Sequence, residues 1–113
     1  MFFYLERNLS MVENLTYENF DISTSEGVVL TDFWAEWCAP CRMQSPIIDQ
    51  LDDEIGNQVK FTKVDVDNNQ QVATSLGIRS IPTLVVKKNG EIVEKLVGFH
   101  TKDQLKKVLA YYA

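Results

Sequence analysis

The spacing of apolar residues alternates along the chain between patterns typical of strands and patterns typical of helices. Val28 to Trp34 is almost continuously apolar, which is typical of a strand buried between two layers. Val59 to Val66 predicts a second strand. Between them, from Pro40 to about Gly56, apolar residues recur at steps of three and four, which predicts an amphipathic helix with a kink at Pro46. Its apolar positions are Met43, Ile47, Ile48, Leu51 and Ile55. These segments form a βαβ unit, and we expect the Val28 strand at the centre of the sheet.

Two shorter helices are predicted on either side of this unit. Thr16 is expected to cap the first helix, with Leu15 and Phe20 in hydrophobic-staple positions and Gly27 at its end. Asn69 to Leu76 predicts the other helix.

The last part of the chain predicts a hairpin followed by a helix. Asn89-Gly90 separates Pro82 to Lys87 from Glu91 to Val97, and both turn residues tolerate the positive φ of a tight turn, so these strands are antiparallel. Thr101 to Gln104 is a capping box, and the apolar stripe that follows it consists of Leu105, Val108, Leu109 and Tyr112. The pattern therefore predicts one α/β domain with a mixed sheet covered by helices on both faces.

Composition and charge exclude several classes of protein. With 113 residues, 45% of them hydrophobic, the chain suits one globular domain with a hydrophobic core. The net charge of -5, with 11 basic residues spread thinly, argues against nucleic-acid binding. The pairs Lys87-Lys88 and Lys106-Lys107, and the acidic residues Asp49 and Asp52 to Glu54, are interpreted as solvated faces.

The first residues show no pattern of a secretion signal or a membrane anchor. Phe2 to Leu5 is too short for the apolar part of a signal peptide. No segment approaches the roughly 18 apolar residues of a membrane span. We therefore expect a cytoplasmic protein without membrane contact. Because Met11 precedes the more regular pattern, residues 1 to 10 are interpreted as an N-terminal extension to a domain at residues 11 to 113.

The two cysteines lie in Trp37-Cys38-Ala39-Pro40-Cys41, where the central strand ends and a helix begins, and four interpretations compete for them. A zinc site needs two further ligands, but His100 is the only histidine and there is no other cysteine. A structural disulfide across so short a loop adds little to a chain with a full core. Two inert buried thiols would not account for the adjacent Trp, Pro and helix start. Redox catalysis through Cys38 and Cys41 is therefore favoured.

The positions of the cysteines suggest a division of roles. Cys38 lies at the helix N-terminus, where free amide N–H groups and the helix dipole favour a thiolate. Cys41 lies one turn further in and is expected to be more shielded than Cys38. We therefore expect Cys38 to attack a disulfide and Cys41 to resolve the mixed disulfide intramolecularly.

Three motifs in one order resemble the thioredoxin family: the segment from Asp32 to Cys41 (Asp-Phe-Trp-Ala-Glu-Trp-Cys-Ala-Pro-Cys), then Ile81-Pro82-Thr83, then Gly98. The resemblance covers about residues 11 to 113. It implies the α/β thioredoxin fold, with a central mixed sheet of five strands flanked by four helices. The chain departs from the family at Ala39, where Gly is usual, and at Arg42, where Lys is common. These departures bear on redox potential and client choice, not on the class of reaction.

The resemblance also implies an activity and its partners. A thioredoxin reduces protein disulfides as part of cellular redox homeostasis and holds no cofactor or metal. Its electrons come from NADPH through thioredoxin reductase, and its clients are of the peroxiredoxin or ribonucleotide reductase type. We expect a monomer. The alternatives are an oxidase or isomerase of the same fold, and a non-catalytic module that holds a partner enzyme. Ala39-Pro40 argues against the first, and retention of both cysteines and Asp32 argues against the second.

Asp32 and Lys63 are the expected charged residues of the site. Asp32 interrupts an apolar strand, where burial should raise its pKa. The resemblance implies that it accepts the proton of Cys41 during resolution, and the alternative is a purely structural carboxylate. Lys63, on the neighbouring strand, is expected to limit the rise in the pKa of Asp32, and its alternative role is a surface salt bridge.

Ile81-Pro82 is the remaining motif. A cis bond there, as the resemblance implies, would turn the Ile81 backbone outward beside Cys38, where an extended client segment could pair with it. An ordinary trans proline is the alternative. The expected docking surface is flat and apolar and consists of Trp37, Ala39, Pro40, Ile81, Val97 and Gly98, with Trp34 as core support beneath it.

Overall fold

The structure is a computed structural model that describes residues 12–113. The predicted extension, residues 1 to 10, lies outside the described residues. The strands are β1 (Glu13–Leu15), β2 (Val28–Trp34), β3 (Lys60–Asp65), β4 (Thr83–Lys88) and β5 (Glu91–Val97). The helices are α1 (Phe20–Ser23), α2 (Ala39–Ile55), α3 (Gln70–Ser75) and α4 (Lys102–Tyr112).

The five strands form one mixed sheet in the order β1-β3-β2-β4-β5. β3 runs parallel to both β1 and β2, whereas β4 is antiparallel to β2 and to β5. The predicted βαβ unit, the central position of β2 and the hairpin are thereby confirmed. Asn89 and Gly90 turn the hairpin with φ of 50° and 87°. The pattern did not locate β1, because a strand of three residues is too short to show alternation.

Helices cover both faces of the sheet, as predicted. Val28 and Leu30 of β2 pack in a core cluster with side chains of α2 and α4, whereas Phe33 packs with side chains of α1 and α3. Successive side chains of a strand point to opposite faces. Asp32 therefore shares the face of Leu30, beneath the helix that carries the cysteines.

The caps of the helices were predicted with mixed success. The capping box of Thr101 and Gln104 at the start of α4 is confirmed. A short first helix is present, but its predicted cap and end are wrong: α1 spans Phe20–Ser23, with Asn19 at the N-cap position and no side-chain cap. The Asn19 side chain instead accepts a hydrogen bond from the N–H of Thr16 at 2.8 Å. Leu15 belongs to β1.

Two side chains differ in burial from the prediction. Met43 was expected on the buried stripe of α2 but is 62% exposed, and Gln44 is buried in its place. Lys87 was expected on a solvated face but is buried in β4. Its ammonium donates a hydrogen bond to Thr24 Oγ1 at 2.8 Å and lies 4.9 Å from the ring centroid of Phe20. A long polar side chain can be buried in this way when its charged end finds partners.

The charges near the ends of α2 and α4 are paired on the surface. Lys102 and Lys106 of α4 both form ion pairs with Glu54 of α2. Within residues 12–113, no helix is both long and apolar enough to cross a membrane.

Candidate active site

The redox pair lies at the junction of β2 and α2. Cys38 occupies the N-cap position of α2, and Pro40 stands in the first turn, where its missing N–H costs no hydrogen bond. A disulfide joins Cys38 to Cys41, with 5.3 Å between their Cα atoms. The N–H of Cys41 donates to Cys38 Sγ at 3.3 Å. An amide N–H of the first helical turn is therefore directed at the sulfur that was predicted to attack.

Burial does not distinguish the two sulfurs in the disulfide form. Cys38 is 4% exposed and Cys41 is 3% exposed, so the expectation that Cys38 would be the exposed member of the pair is wrong for this state. The reason is that Cys38 packs in one cluster with Ala35 and Cys41, against Trp34 and Ile81. The asymmetry that remains is electrostatic, because Cys38 Sγ receives the helix N–H.

The start of β4 approaches the disulfide from the other side. The Ile81-Pro82 peptide bond is cis, and the carbonyl oxygen of Ile81 lies 3.8 Å from Cys38 Sγ. This is a contact rather than a hydrogen bond, since a disulfide sulfur carries no hydrogen. Pro82 is buried, and its carbonyl accepts the N–H of Gly98 at 2.8 Å. The cis-proline motif thus lies beside Cys38 and is hydrogen-bonded to Gly98.

The residues predicted to form the docking surface differ in exposure. Trp37 is 69% exposed and Val97 is 64% exposed. Ala39 and Pro40 are also exposed, whereas Ile81 and Gly98 are half-buried. An open groove lies between Trp37 and Ile81 on the side of Ile78. The predicted apolar residues therefore present accessible area around a disulfide that is itself buried.

Two side-chain contacts at this surface were missed from the sequence. The indole N–H of Trp37 donates to Asp67 Oδ2 at 2.9 Å. Arg42 donates through Nη1 to the backbone carbonyl of Glu36 at 2.6 Å. Asp67 lies 30 positions from Trp37, and no local pattern could have indicated the pairing.

Asp32, on the sheet face that α2 covers, is only 1% exposed. Its Oδ1 accepts no hydrogen bond from any side chain or backbone group of the described residues. Burial raises the pKa of Asp32 from its ordinary value of 3.8 to about 7, while the charge of Lys63 lowers it and that of Asp49 raises it further. The predicted direction and the opposing effect of Lys63 agree with this. The contribution of Asp49, one of the acidic residues interpreted as solvated, was missed.

A cavity of about 180 Å³ is lined by both Asp32 and Cys41. It is lined by Asp32, Trp34, Ala35, Glu36, Cys41, Arg42, Ser45 and Lys63. Trp34, expected as core support, is half-buried in its wall and donates its indole N–H to Asn14 Oδ1 at 3.1 Å. The ammonium of Lys63 lies 6.0 Å from the ring centroid of Trp34. The cavity is large enough for water to link the carboxyl of Asp32 to Cys41.

The half-buried side chain of His100 contacts the backbone near the site. Its Nδ1 lies 2.9 Å from the carbonyl oxygen of Gly98. Among residues 12–113, no group of three or more His, Cys, Asp or Glu side chains is arranged to hold a metal ion. The Cys38–Cys41 disulfide is a group suited to thiol-disulfide exchange.

Comparisons with known proteins agree with this geometry. The thioredoxin family profile matches residues 11–111. The thioredoxin of Listeria monocytogenes is 47% identical over 102 residues, which cover 90% of this chain and 99% of that protein. The thioredoxin of Bacillus subtilis is 51% identical over 94 residues, which cover 83% of this chain and 90% of that protein.

Solved structures show the same architecture. A thioredoxin of Malassezia sympodialis superposes with a TM-score of 0.81 at 36% identity, covering 92% of each chain. A thioredoxin mutant from Halobacterium salinarum gives a TM-score of 0.81 at 36% identity, covering 89% of this chain and 88% of the other. The fold, the Cys38–Cys41 disulfide and these relatives together show that the chain belongs to the thioredoxin family and is a thiol-disulfide oxidoreductase.

Proposed function

We propose that the protein reduces disulfides in client proteins, with Cys38 as the attacking thiolate and Cys41 as the resolving thiol. The observation that carries this proposal is the N–H of Cys41 donating to Cys38 Sγ at the start of α2. A helix N-terminus stabilises a negative sulfur, and a thiolate is the form that attacks disulfides.

The first step is attack of the Cys38 thiolate on one sulfur of a client disulfide. A bond forms between Cys38 Sγ and that sulfur, the client S–S bond breaks, and the released client thiolate takes a proton from solvent. The product is a mixed disulfide between Cys38 and the client.

In the second step Cys41 loses its proton and attacks Cys38 Sγ. The mixed disulfide breaks, the Cys38–Cys41 disulfide forms, and the second client sulfur leaves as a thiolate that is then protonated. The client has gained two electrons from the protein and two protons from solvent, while the protein has lost two electrons and the proton of Cys41. The short span between the cysteines makes this step intramolecular.

Asp32 is the proposed acceptor of the Cys41 proton. With a pKa of about 7 it can take up and release a proton near neutral pH. The cavity shared by Asp32, Cys41 and Lys63 offers a route for the proton through water. Lys63 is proposed to keep the pKa of Asp32 from rising further, since its positive charge favours the carboxylate.

Clients are proposed to dock on the residues around the disulfide that were predicted to form the docking surface: Trp37, Ala39, Pro40, Ile81, Val97 and Gly98. An extended client segment would add alongside the Ile81 backbone, next to Cys38. Pro82 is buried behind this position and shapes it without offering exposed area.

The remaining expectations about cellular context stay proposals. They are cytoplasmic location, a monomer, redox homeostasis, electrons from NADPH through thioredoxin reductase, and clients of the peroxiredoxin or ribonucleotide reductase type. Residues 11 to 113 are proposed as the domain and residues 1 to 10 as an extension. A chain lacking residues 1 to 10 should then keep both its thermal stability and its activity.

Insulin reduction in the presence of dithiothreitol tests the proposed activity. The wild-type protein should accelerate precipitation of the insulin B chain, whereas Cys38→Ser should not exceed the rate with dithiothreitol alone. A Cys38→Ser variant as active as the wild type would contradict the proposal.

A further inference from the structure

The backbone between β5 and α4 is held at both of its ends. The N–H of Gly98 donates to the carbonyl of Pro82 at 2.8 Å. At the other end, the N–H of Thr101 donates to the side chain of Gln104 at 2.9 Å. Phe99 lies between these anchors, is 38% exposed, and follows directly on the proposed docking residue Gly98.

A buried glutamine on the redox helix provides a third anchor. Gln44 of α2 is fully buried, three residues after Cys41. Its Nε2 donates to the carbonyl of His100 at 3.0 Å, and the N–H of His100 donates to Gln44 Oε1 at 2.8 Å. One amide thus satisfies both backbone groups of His100, as a neighbouring strand would.

The choice of an amide at this position is informative because the rest of the buried face of α2 is apolar. The other buried side chains of this helix are Cys41, Ile48 and Leu51. Burying an amide is unfavourable unless its hydrogen bonds are made, and Gln44 makes one through each end of its amide. Because Gln44 is fully buried, it cannot itself touch a client.

We propose that Gln44 is a positioning residue for client recognition. It holds the backbone of residues 98–100 against the helix that carries Cys38 and Cys41. Phe99 and the exposed Val97 then extend the apolar docking surface on this side of the disulfide. The partner they fit is an extended client segment with apolar side chains next to its disulfide. This inference rests on the proposed reduction of protein disulfides.

The test compares a protein substrate with a small one, using pre-reduced protein in single turnover. Insulin requires docking, whereas hydroxyethyl disulfide reaches the sulfur without it. In Gln44→Leu the half-saturating insulin concentration should rise roughly two- to tenfold, as expected when about one net hydrogen bond of positioning is lost. The saturating rate and the rate with hydroxyethyl disulfide should stay within about twofold of the wild type. Gln50→Leu makes the same change at an exposed position of α2 and should match the wild type throughout.

A second variant links Gln44 to Phe99. Phe99→Ala should raise the half-saturating insulin concentration, and adding Gln44→Leu to it should raise that concentration less than in the wild-type background. A folded Gln44→Leu protein with wild-type saturation by insulin would overturn the proposal, as would an equal loss with both substrates. If Gln44→Leu does not fold, Phe99→Ala decides: a selective rise supports the proposal and wild-type saturation overturns it. A wild-type protein inactive on both substrates would instead contradict the proposed function.

Discussion

Asp32 of β2 and Lys63 of β3 stand opposite each other in the parallel register of the sheet, and both line the cavity that reaches Cys41. The carboxyl is buried deeply enough that its pKa rises to about 7 although the lysine opposes the rise. A buried acid that titrates near neutrality destabilises the fold but can accept a proton from a thiol. The first two predictions separate these consequences.

Replacing Asp32 by Asn should stabilise the protein at neutral and higher pH. The folded-state pKa lies above the ordinary value of 3.8, so between pH 3.8 and about 7 the folded state binds more protons than the unfolded state. Wild-type stability therefore falls as pH rises through this window, by up to roughly 4 kcal/mol in total. Chemical denaturation should show a gain for Asp32→Asn above pH 7 that disappears near pH 4. Exposed Asp53→Asn is the control, and a gain independent of pH would contradict this explanation.

The same Asp32→Asn variant should resolve mixed disulfides slowly. Without the carboxylate, Cys41 loses its assigned proton acceptor, and release of the client should slow by roughly 100-fold. Attack by Cys38 does not use Asp32 and should change much less. Rapid-quench analysis of the mixed disulfide measures both steps. A stabilised variant that resolves at the wild-type rate would leave Asp32 with a structural role only.

The buried Lys87 gives a prediction about stability away from the site. Thr24→Val removes a hydroxyl that makes two hydrogen bonds. It accepts one from the Lys87 ammonium and donates one to the Phe20 carbonyl, each at 2.8 Å. The substitution should cost about 1–3 kcal/mol, since a buried charge is left without that partner. Lys87→Met removes the charge itself and should cost less or even stabilise. Urea unfolding of both variants, with exposed Lys88→Met as control, checks the order, and the reverse order would show that the ammonium is not the decisive group.

In the reduced protein, Cys38 should react with iodoacetamide much faster than Cys41. The two cysteines are equally buried in the disulfide form, so the difference is expected from stabilisation of the Cys38 thiolate at the helix N-terminus. Peptide mapping after brief alkylation measures both rates, and the urea-denatured protein should show the two rates converging. Equal rates in the native protein would contradict the assigned roles.

Local patterns in the sequence predicted most of the fold. The alternation of apolar runs located β2 to β5, and Asn89-Gly90 fixed the hairpin, because these signals lie within a few residues. Contacts between distant residues had no such signal. Gln44 forms a hydrogen bond with the backbone of a residue 56 positions away, and Lys87 forms one with Thr24 across 63 positions. The burial of these two polar side chains was therefore not predicted.

The sequence indicated which residues belong to the candidate site, but not how exposed the two cysteines are. The local pattern located the cysteine pair where a strand ends and a helix begins, and it showed Asp32 as an acid within an apolar strand. The cis form of the Ile81-Pro82 bond was implied only by the resemblance to the family. The burial of Cys38 depends on packing against Trp34 and Ile81, which belong to different strands or loops. Only the assembled sheet brings them together.

The most direct test of the central claim is to replace Cys41 by Ser and search for a trapped client. Attack by Cys38 should proceed while resolution cannot, so the variant should accumulate a mixed disulfide with a protein disulfide substrate. Mass spectrometry of the adduct should place the mixed disulfide at Cys38, and treatment with dithiothreitol should release the client. Cys38→Ser serves as the control. The absence of any adduct from Cys41→Ser, or an adduct formed equally by Cys38→Ser, would contradict the assignment of Cys38 as the attacking thiolate and Cys41 as the resolving thiol.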